Sequence, residues 1–480
     1  MAYVSATEQI IQKVELGRVL ADSKLIKGII NRDRGSVEKK RMVEGNNYYE
    51  GEHDVLNKAF NIYYVKGIKK TAAAKANYKI TNTFHTDLVD QKKDFIMSVQ
   101  PTISHDSEEK QKVINEIIGE NLWEFLEDAC IGASNQGVEW GHVYVNEKGE
   151  FDFTIVPAVQ LIPDYDNNYK KSLLSMMRYY YVDAQDEKGN LKQKTKVEIW
   201  TATEVHFYID DKGEFIRDSS ETDNPRPHWK EIMKQGEEVV STENKNWERV
   251  PFFPLPNNKK KISDLKRIKT LIDLYDVVLS QFGNQIEDVK EIQVVIRNYD
   301  GTDNEQLIQM FKENGLIKVT GDGGAEPLTL TIPVEAKESI LKMLKENIYR
   351  FGRGIDYSGL ALNNPTNLTL KFMYSGLDLK ANAMIKGLNK FIKELFSYYA
   401  QWRSVELLPQ EIEITFSKSM IINESEIIQD VINSTGLISK YTQLQKHPYV
   451  DDVDSELEQI EKETEGIVDL GADEDGGGAN

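Results

Sequence analysis

Val250–Lys290 reads VPFFPLPNNKKKISDLKRIKTLIDLYDVVLSQFGNQIEDVK, and the rest of the chain is organised around it. Pro251, Pro254 and Pro256 hold the backbone extended and remove hydrogen-bond donors. Asn257, Asn258 and the Lys259–Lys261 run then lead into a helix, with Ser263 as its expected N-cap. Apolar side chains follow at Leu265, Ile268, Ile272, Tyr275, Leu279, Phe282, Ile286 and Val289, alternating three and four apart. That heptad-like stripe suits packing against other long helices, and Leu271, Leu274 and Val278 widen it. At 1.5 Å per residue the predicted helix is roughly 40 Å long. Taken alone, it also fits a buried helix of an ordinary large domain.

Downstream, Glu291–Asn304 reads as a strand and turn, EQLIQMFKENG as a short helix, and GLIKVTGDGGAEPLTLTIP as two strands about a Gly-rich turn. A second helix, EAKESILKMLKENIYRFG, aligns Ile340, Leu344, Ile348 and Phe351. A small α/β insert therefore sits between two helices. Arg353–Leu368, rich in Gly and Asn, has no regular pattern. Residues 370–401 form the longest helical pattern, with a kink expected at Ser375–Gly376. Glu411–Lys418 reads as a strand. Two short helices and a disordered GADEDGGGAN end follow.

Upstream, residues 5–45 carry Ile10, Val14, Leu20, Ile26 and Ile29 at helical spacing, and NNYYEGEHDVL follows. Phe84, Leu88, Val89, Phe95 and Ile96 share one face of a helix that Pro101 ends. Glu108–Ala133 reads as one amphipathic helix. From Gly137 the period becomes two, and three Lys-Gly turns near Glu147–Gly149, Lys188–Asn190 and Asp211–Gly213 predict an antiparallel meander.

Composition narrows the function. The chain has 480 residues, no apolar run long enough to span a bilayer and one cysteine, Cys130, so internal disulfides are excluded. A soluble protein of a reducing cytoplasm is expected, since the first residues lack a signal peptide's order. Net charge is −19, and residues 421–480 hold fifteen Asp/Glu against three Lys. A chain this acidic is not expected to grip duplex DNA tightly, because that affinity comes from basic groups displacing counterions. It is compatible with letting DNA pass.

Chemical motifs are absent. Gly321–Gly324 has no following Lys-Ser/Thr and reads as a turn. Asp164–Asn168 begins like a calcium loop but has Tyr169 and Ser175 where Gly and Glu are needed. The seven histidines show no metal-ligand spacing, and Cys130 reads as a small core residue. No catalytic residue, metal site or cofactor is assigned, and the chain is expected not to be an enzyme.

Five blocks in register resemble the portal proteins of long-tailed phages of Gram-positive hosts. They are NNYYEGEHDVL, NYKITNTFHTDLVDQKKDFIMSVQPTIS, the Val250–Asp288 block, LTLKFMYSGLDLKAN and GLISKYTQLQKHPYVDDVDSELEQIEKE. The resemblance departs at Asn367-Leu368, where many relatives have Ser-Gly. It implies an α+β, portal-like fold of mainly long helices with an antiparallel β meander and a small α/β insert. It implies a wing over 1–250 (helices, then meander), a first stem helix over 251–290, a clip over 291–335 and a second stem helix over 336–352. A tunnel loop over 353–369, a long kinked helix and wing strand over 370–420, and a crown with a disordered acidic tail over 421–480 complete it.

The implied function is a dodecameric ring at one capsid vertex, a channel for double-stranded DNA in packaging and ejection, with no membrane partner. The implied partners are a terminase motor, a head–tail adaptor, and the major capsid and scaffolding proteins. The location implied is the virion, and the host cytoplasm during assembly. Ile355, Asn363, Asn364, Thr366, Asn367 and Leu368 are then expected to line the channel. Leu265, Ile268, Ile272, Tyr275, Leu279, Phe282 and Ile286 are expected at the subunit interface. The alternatives are another phage head structural protein, or a metal-dependent nucleic-acid enzyme with clustered carboxylates.

Overall fold

The computed structural model describes residues 23–72, 75–166, 172–185, 191–235, 238–289, 293–297, 322, 324–328, 333–358, 366–420 and 423–472. The first described elements are α1 (Ser23–Gly35) and α2 (Val37–Tyr49), two helices within the stretch of helical spacing read over residues 5–45. The break is chemical: the Ser36 side chain caps α2 by accepting from the Lys39 N–H. Ile10, Val14 and Leu20 lie outside the described residues.

A hairpin of β1 (Ile62–Val65) and β2 (Ile68–Thr71) precedes α3 (Phe84–Met97). After β3 (Thr102–Ser104), the expected single helix over 108–133 is again two, α4 (Glu108–Asn115) and α5 (Glu120–Gln136), interrupted before Gly119. Gly45 of α2 crosses α5 so closely that a Cβ would lie 1.9 Å from the Asn135 carbonyl oxygen; only glycine fits there.

The period-two region forms the expected antiparallel sheets. β4 (Val138–Val145) and β5 (Phe151–Val156) make a hairpin. β6 (Leu161–Tyr165), β7 (Leu173–Gln185), β8 (Leu191–Trp200), β9 (Glu204–Asp211) and β10 (Glu214–Arg217) form a meander in order β10-β9-β8-β7-β6. β11 (Arg226–Pro227) adds to β9, and β12 (Trp229–Gln235) pairs with β13 (Glu238–Lys245). Lys212 and Gly213 both take positive φ, the geometry that a tight hairpin turn demands. The expected turn at Lys188–Asn190 lies outside the described residues. Ile26 and Ile30 of α1 pack on Met177, Val197 and Tyr208 of this sheet.

β14 (Phe252–Pro256) explains the prolines of the Val250–Lys290 stretch. It is the edge of a three-stranded sheet, β14-β4-β5. The Asn257 N–H donates to the Gly137 carbonyl at 3.0 Å, so odd positions point toward β4. Pro254 and Pro256 therefore place their missing donors on the open side, the one place a strand tolerates them.

α6 (Lys269–Val289) follows, starting later than the sequence suggested. Leu265–Arg267 is a 3-10 turn, and the helix is about 30 Å long. In the insert, β15 (Gln293–Arg297) pairs antiparallel with β16 (Gly324–Leu328). The short helix expected near 305–315 lies outside the described residues.

α7 (Val334–Gly352) packs against α6, and α8 (Asn367–Arg403) runs unbroken through Ser375–Gly376, where a kink was expected. The predicted terminal strand is short: β17 (Glu413–Thr415) pairs with β3. Three helices, not two, follow: α9 (Glu424–Asn433), α10 (Lys440–Lys446) and α11 (Val453–Ala472). Most of GADEDGGGAN lies outside the described residues.

The largest core joins Leu126, Phe125, Phe253, Leu388, Phe391 and Leu395, which lie on α5, β14 and α8. The fold is α+β, with helices dominant and antiparallel sheets. Among the described residues no helix is long and apolar enough to cross a membrane.

Candidate channel and interface elements

The start of α6 is built by the paired asparagines. Asn257 Nδ2 donates to the Ile262 carbonyl at 2.9 Å, and Asn258 Nδ2 donates to the same carbonyl at 2.6 Å, while Asn258 Oδ1 accepts from the Ile262 N–H. This turn delivers Asp264 into the protein. There Lys92 of α3 reaches its carboxylate at 2.6 Å and Lys380 of α8 at 3.2 Å. Asn257 bridges the group, donating to Asp264 Oδ1 at 2.9 Å and accepting from Lys92 Nζ at 2.8 Å. Lys380 also donates to the Gly352 carbonyl at the end of α7. Burial alone would raise the Asp264 pKa, but Lys380 and Lys92 hold it well below the carboxylate range. Burial pushes the Lys380 ammonium down to about 8, opposed by Asp264. One carboxylate thus ties α3, α8, the end of α7 and the lead into α6.

Along α6 the predicted stripe divides. Leu265, Ile268 and Ile272 are fully buried within the subunit, against Tyr48, Leu88 and Ile348. Their side chains belong to the subunit's own core and cannot reach a neighbour. Tyr275 is half-buried, edge-on to Phe84 at 4.9 Å. Leu279 and Phe282 are half-buried, with Lys337 Nζ 5.0 Å from the Phe282 ring centre. Leu274 and Ile286 are exposed, as are Ile340, Met343 and Phe351 on α7. An apolar face on the paired helices is therefore left uncovered.

The face of α6 that does turn inward beyond Ile272 is polar: Asp276, Ser280 and Asn284 are buried. They bind the main chain of an extended segment, Tyr78–Asn82. Asn284 Oδ1 accepts from the Tyr78 N–H at 2.6 Å, and its Nδ2 donates to the Tyr78 carbonyl at 3.1 Å. Ser280 Oγ accepts from the Ile80 N–H at 2.9 Å, and Asp276 Oδ1 from the Asn82 N–H at 3.0 Å. His53 Nδ1 lies 2.6 Å from Asp276 Oδ2. This His–Asp pair has the look of a catalytic dyad, but the other His53 nitrogen faces the Tyr48 carbonyl at 3.3 Å, so both ring nitrogens are engaged within the subunit. Sequence reasoning missed this buried polar face, because Asp, Ser and Asn four apart read as a solvated stripe.

The loop between α7 and α8 lands differently from expectation. Ile355, expected to line a channel, is buried, and Gln91 clamps its backbone by accepting from its N–H (2.9 Å) and donating to its carbonyl (3.0 Å). Asn363 and Asn364 lie outside the described residues. Thr366 caps α8 through the Thr369 N–H. Asn367 and Leu368, assigned to the loop, form the first turn of α8. Leu368 is exposed, but the Asn367 side chain is engaged. Asn367 Oδ1 accepts from the Asn423 N–H at 2.7 Å and its Nδ2 donates to the Asn423 carbonyl at 3.1 Å, tying α8 to the start of α9.

Among the described residues no group of three His, Cys, Asp or Glu side chains could hold a metal ion. Burial pushes the Cys130 thiol up to about 12, which keeps it protonated.

Residues 32–469 match the family model described as "Phage portal protein, SPP1 Gp6-like". The chain is 30% identical over 466 residues to the portal protein of Bacillus phage SPP1, covering 94% of this chain and 90% of that one. It is 28% identical over 445 residues to the portal protein of Clostridium phage phiCD119, covering 89% and 93%. A chain in the solved structure titled "Neck of native GTA particle computed with C12 symmetry" aligns with a TM-score of 0.38 at 10% identity. That alignment covers 75% of this chain and 88% of that one.

Proposed function

The chain belongs to the SPP1 Gp6-like family of phage portal proteins, and on that premise we propose that it forms a closed ring at one vertex of a phage head. Double-stranded DNA passes through the ring in packaging and ejection, and a terminase motor and a head–tail adaptor dock on it in turn. The role is structural, with nucleotide hydrolysis left to the separate motor. In this reading residues 1–250 form the wing, α6 and α7 the stem, residues 291–335 the clip, and residues 421–480 the crown. The loop between α7 and α8 faces the channel, with Asn363, Asn364 and Thr366 at the DNA.

The observation that carries the ring is the uncovered apolar face of α6 and α7, at Leu274, Ile286, Ile340 and Met343. A monomer rarely leaves such a face in water, and copies related by rotation cover it for one another. The net charge of −19 suits a channel that passes phosphates without holding them.

Electron micrographs of the purified protein, with mass photometry, are expected to show rings with a central hole. Protein that stays monomeric at every concentration and salt contradicts the proposal. Complementation of a portal-null phage, read as packaged DNA per particle, tests the channel role separately.

A further inference from the structure

Residues 55–86 contain six lysines and no carboxylate, in a chain of net charge −19; the remainder therefore carries −25. At the centre of this segment stands the β1–β2 hairpin. Among the described residues it is paired only with itself, through Tyr63↔Lys70, Tyr64↔Lys69 and Val65↔Ile68. Lys66 and Gly67, both at positive φ, close its turn. One face presents Tyr63, Val65 and Ile68, the other Tyr64, and all four are exposed, Tyr64 at 69% and Ile68 at 64%. A two-stranded hairpin with no covered face is marginal by itself in water. This one ends in large apolar side chains ringed by Lys66, Lys69 and Lys70, all exposed.

Its base, by contrast, is held firmly. Asn61 Nδ2 donates to the Ala72 carbonyl at 2.9 Å, and Asn77 Oδ1 accepts from the Phe60 N–H at 2.9 Å. The next residues are bound to α6 through Asn284, Ser280 and Asp276. The arrangement is a rooted base with an uncovered basic and apolar tip.

We propose that this hairpin is an arm that clasps the stem of a neighbouring copy of the same chain. The proposal rests on the ring reading above and says how one copy grips the next. The stem offers a matching surface. Its paired helices expose Leu274, Ile340 and Met343, an apolar face in a chain whose charge outside the basic segment is −25. Tyr63, Val65 and Ile68 supply apolar area for it, and the three lysines supply the opposite charge. The contact is between two different surfaces of like copies, the head-to-tail kind that closes a ring. Duplex DNA is the poorer fit: its phosphates would engage the lysines, but nothing in a DNA backbone calls for Val65 and Ile68, and the rest of the chain repels it.

Thiol protection tests the arm directly. Tyr63→Cys adds one exposed thiol on the face that meets the stem, while buried Cys130 serves as an unreactive internal reference. Labelling with a maleimide is compared between ring and dissociated chain, separated by mass. The expected result is at least about tenfold slower labelling in the ring, as for a contact whose residues leave water. In parallel, Lys66→Glu/Lys69→Glu/Lys70→Glu is expected to raise the protein concentration needed for half-assembly by about tenfold at low salt, with the difference shrinking as salt is added. Rings in which the introduced thiol labels as fast as in the free chain overturn the arm and leave the ring intact. A thiol exposed in the ring but covered on adding linear duplex DNA overturns it in favour of a DNA contact. A wild-type chain that never forms rings removes both readings.

Discussion

Lys92 Nζ and the Asp264 carboxylate meet at 2.6 Å inside the subunit, with Lys380 closing on the same carboxylate at 3.2 Å. Two ammonium groups on two helices depend on one anion at the lead into a third. Removing that anion strands both cations away from water. Asp264→Asn keeps the side-chain shape and most hydrogen bonds but loses the charge, and is expected to cost about 3–5 kcal/mol. Lys92→Met leaves Asp264 paired with Lys380 and is expected to cost less. Urea denaturation of both variants checks the order; an Asp264→Asn chain as stable as wild type means the site is wetter than its burial indicates.

Neighbouring positions on α6 separate core from interface. Ile272 is fully buried within the subunit and Leu274 is half in solvent. Ile272→Asp is expected to unfold the subunit or nearly so, since an unpaired charge enters a closed core. Leu274→Asp is expected to leave monomer stability within about 0.5 kcal/mol yet abolish rings. Circular dichroism melts and mass photometry on the same samples distinguish the two outcomes. Rings persisting in Leu274→Asp would place the subunit contact elsewhere.

Acid is expected to weaken the fold in a definite window. His85, His142, His206 and His228 are each pushed down by burial to about 4, from the usual 6.5. They are neutral when folded, while the unfolded chain takes up protons below 6.5. Stability is therefore fully present above about pH 6.5 and is lost as pH falls toward 4, by up to about 3 kcal/mol for each histidine. Burial drives Glu139 the other way, to about 8, against the donors Ala158, Trp140 and Gln136, so its term falls as pH rises from 4.5 to 8. Because the histidines are four and Glu139 one, the net loss on acidification should dominate. Melting temperatures from pH 7.5 down to 5 test this; a flat profile would contradict the histidine burial.

Asn367→Ala is expected to release α9 from the start of α8. The substitution removes both side-chain bonds to Asn423, each worth about 1 kcal/mol. The global melt should move little, because no side chain of α9 is buried. Hydrogen exchange should accelerate over Glu424–Asn433 while α8 beyond Leu370 stays protected. Unchanged exchange in α9 would show that other contacts hold it.

Much of the fold was legible because its signals are local. Lys-Gly turns announced the meander, and a stripe from Leu265 announced a helix. The errors came where a polar group replaced a local signal. Ser36 ends one helix and caps the next, and apolar Ile26 and Ile30 on one side give no hint of it. Leu265 and Ile272 look like Ile286 in sequence, yet tertiary packing against Tyr48 and Leu88 buries two and leaves one exposed. Asn367 read as a loop residue because asparagine favours loops, whereas its partner lies fifty-six residues later in sequence. Such long-range pairing has no periodic trace. The candidate site was therefore legible as a region and not as a set of side chains.

The bonds between α6 and Tyr78–Asn82 work as a vernier. Helix positions four apart advance about 6.0 Å, and strand positions two apart about 6.6 Å. Three rungs stay in step, with an accumulated offset of roughly 1 Å; a fourth would begin to miss. Every rung grips the main chain, and only Asn82 adds a side-chain bond, its Nδ2 donating to Asp276 Oδ1 at 2.8 Å, so the identities of Tyr78 and Ile80 hardly enter. Substitutions at Tyr78 or Ile80 should slip through unnoticed, whereas inserting one residue between them would put every later rung out of phase. The gauge tolerates a change of letters but not of length. Any load taken up by the arm rooted above it would be passed along the axis of α6 rather than across it.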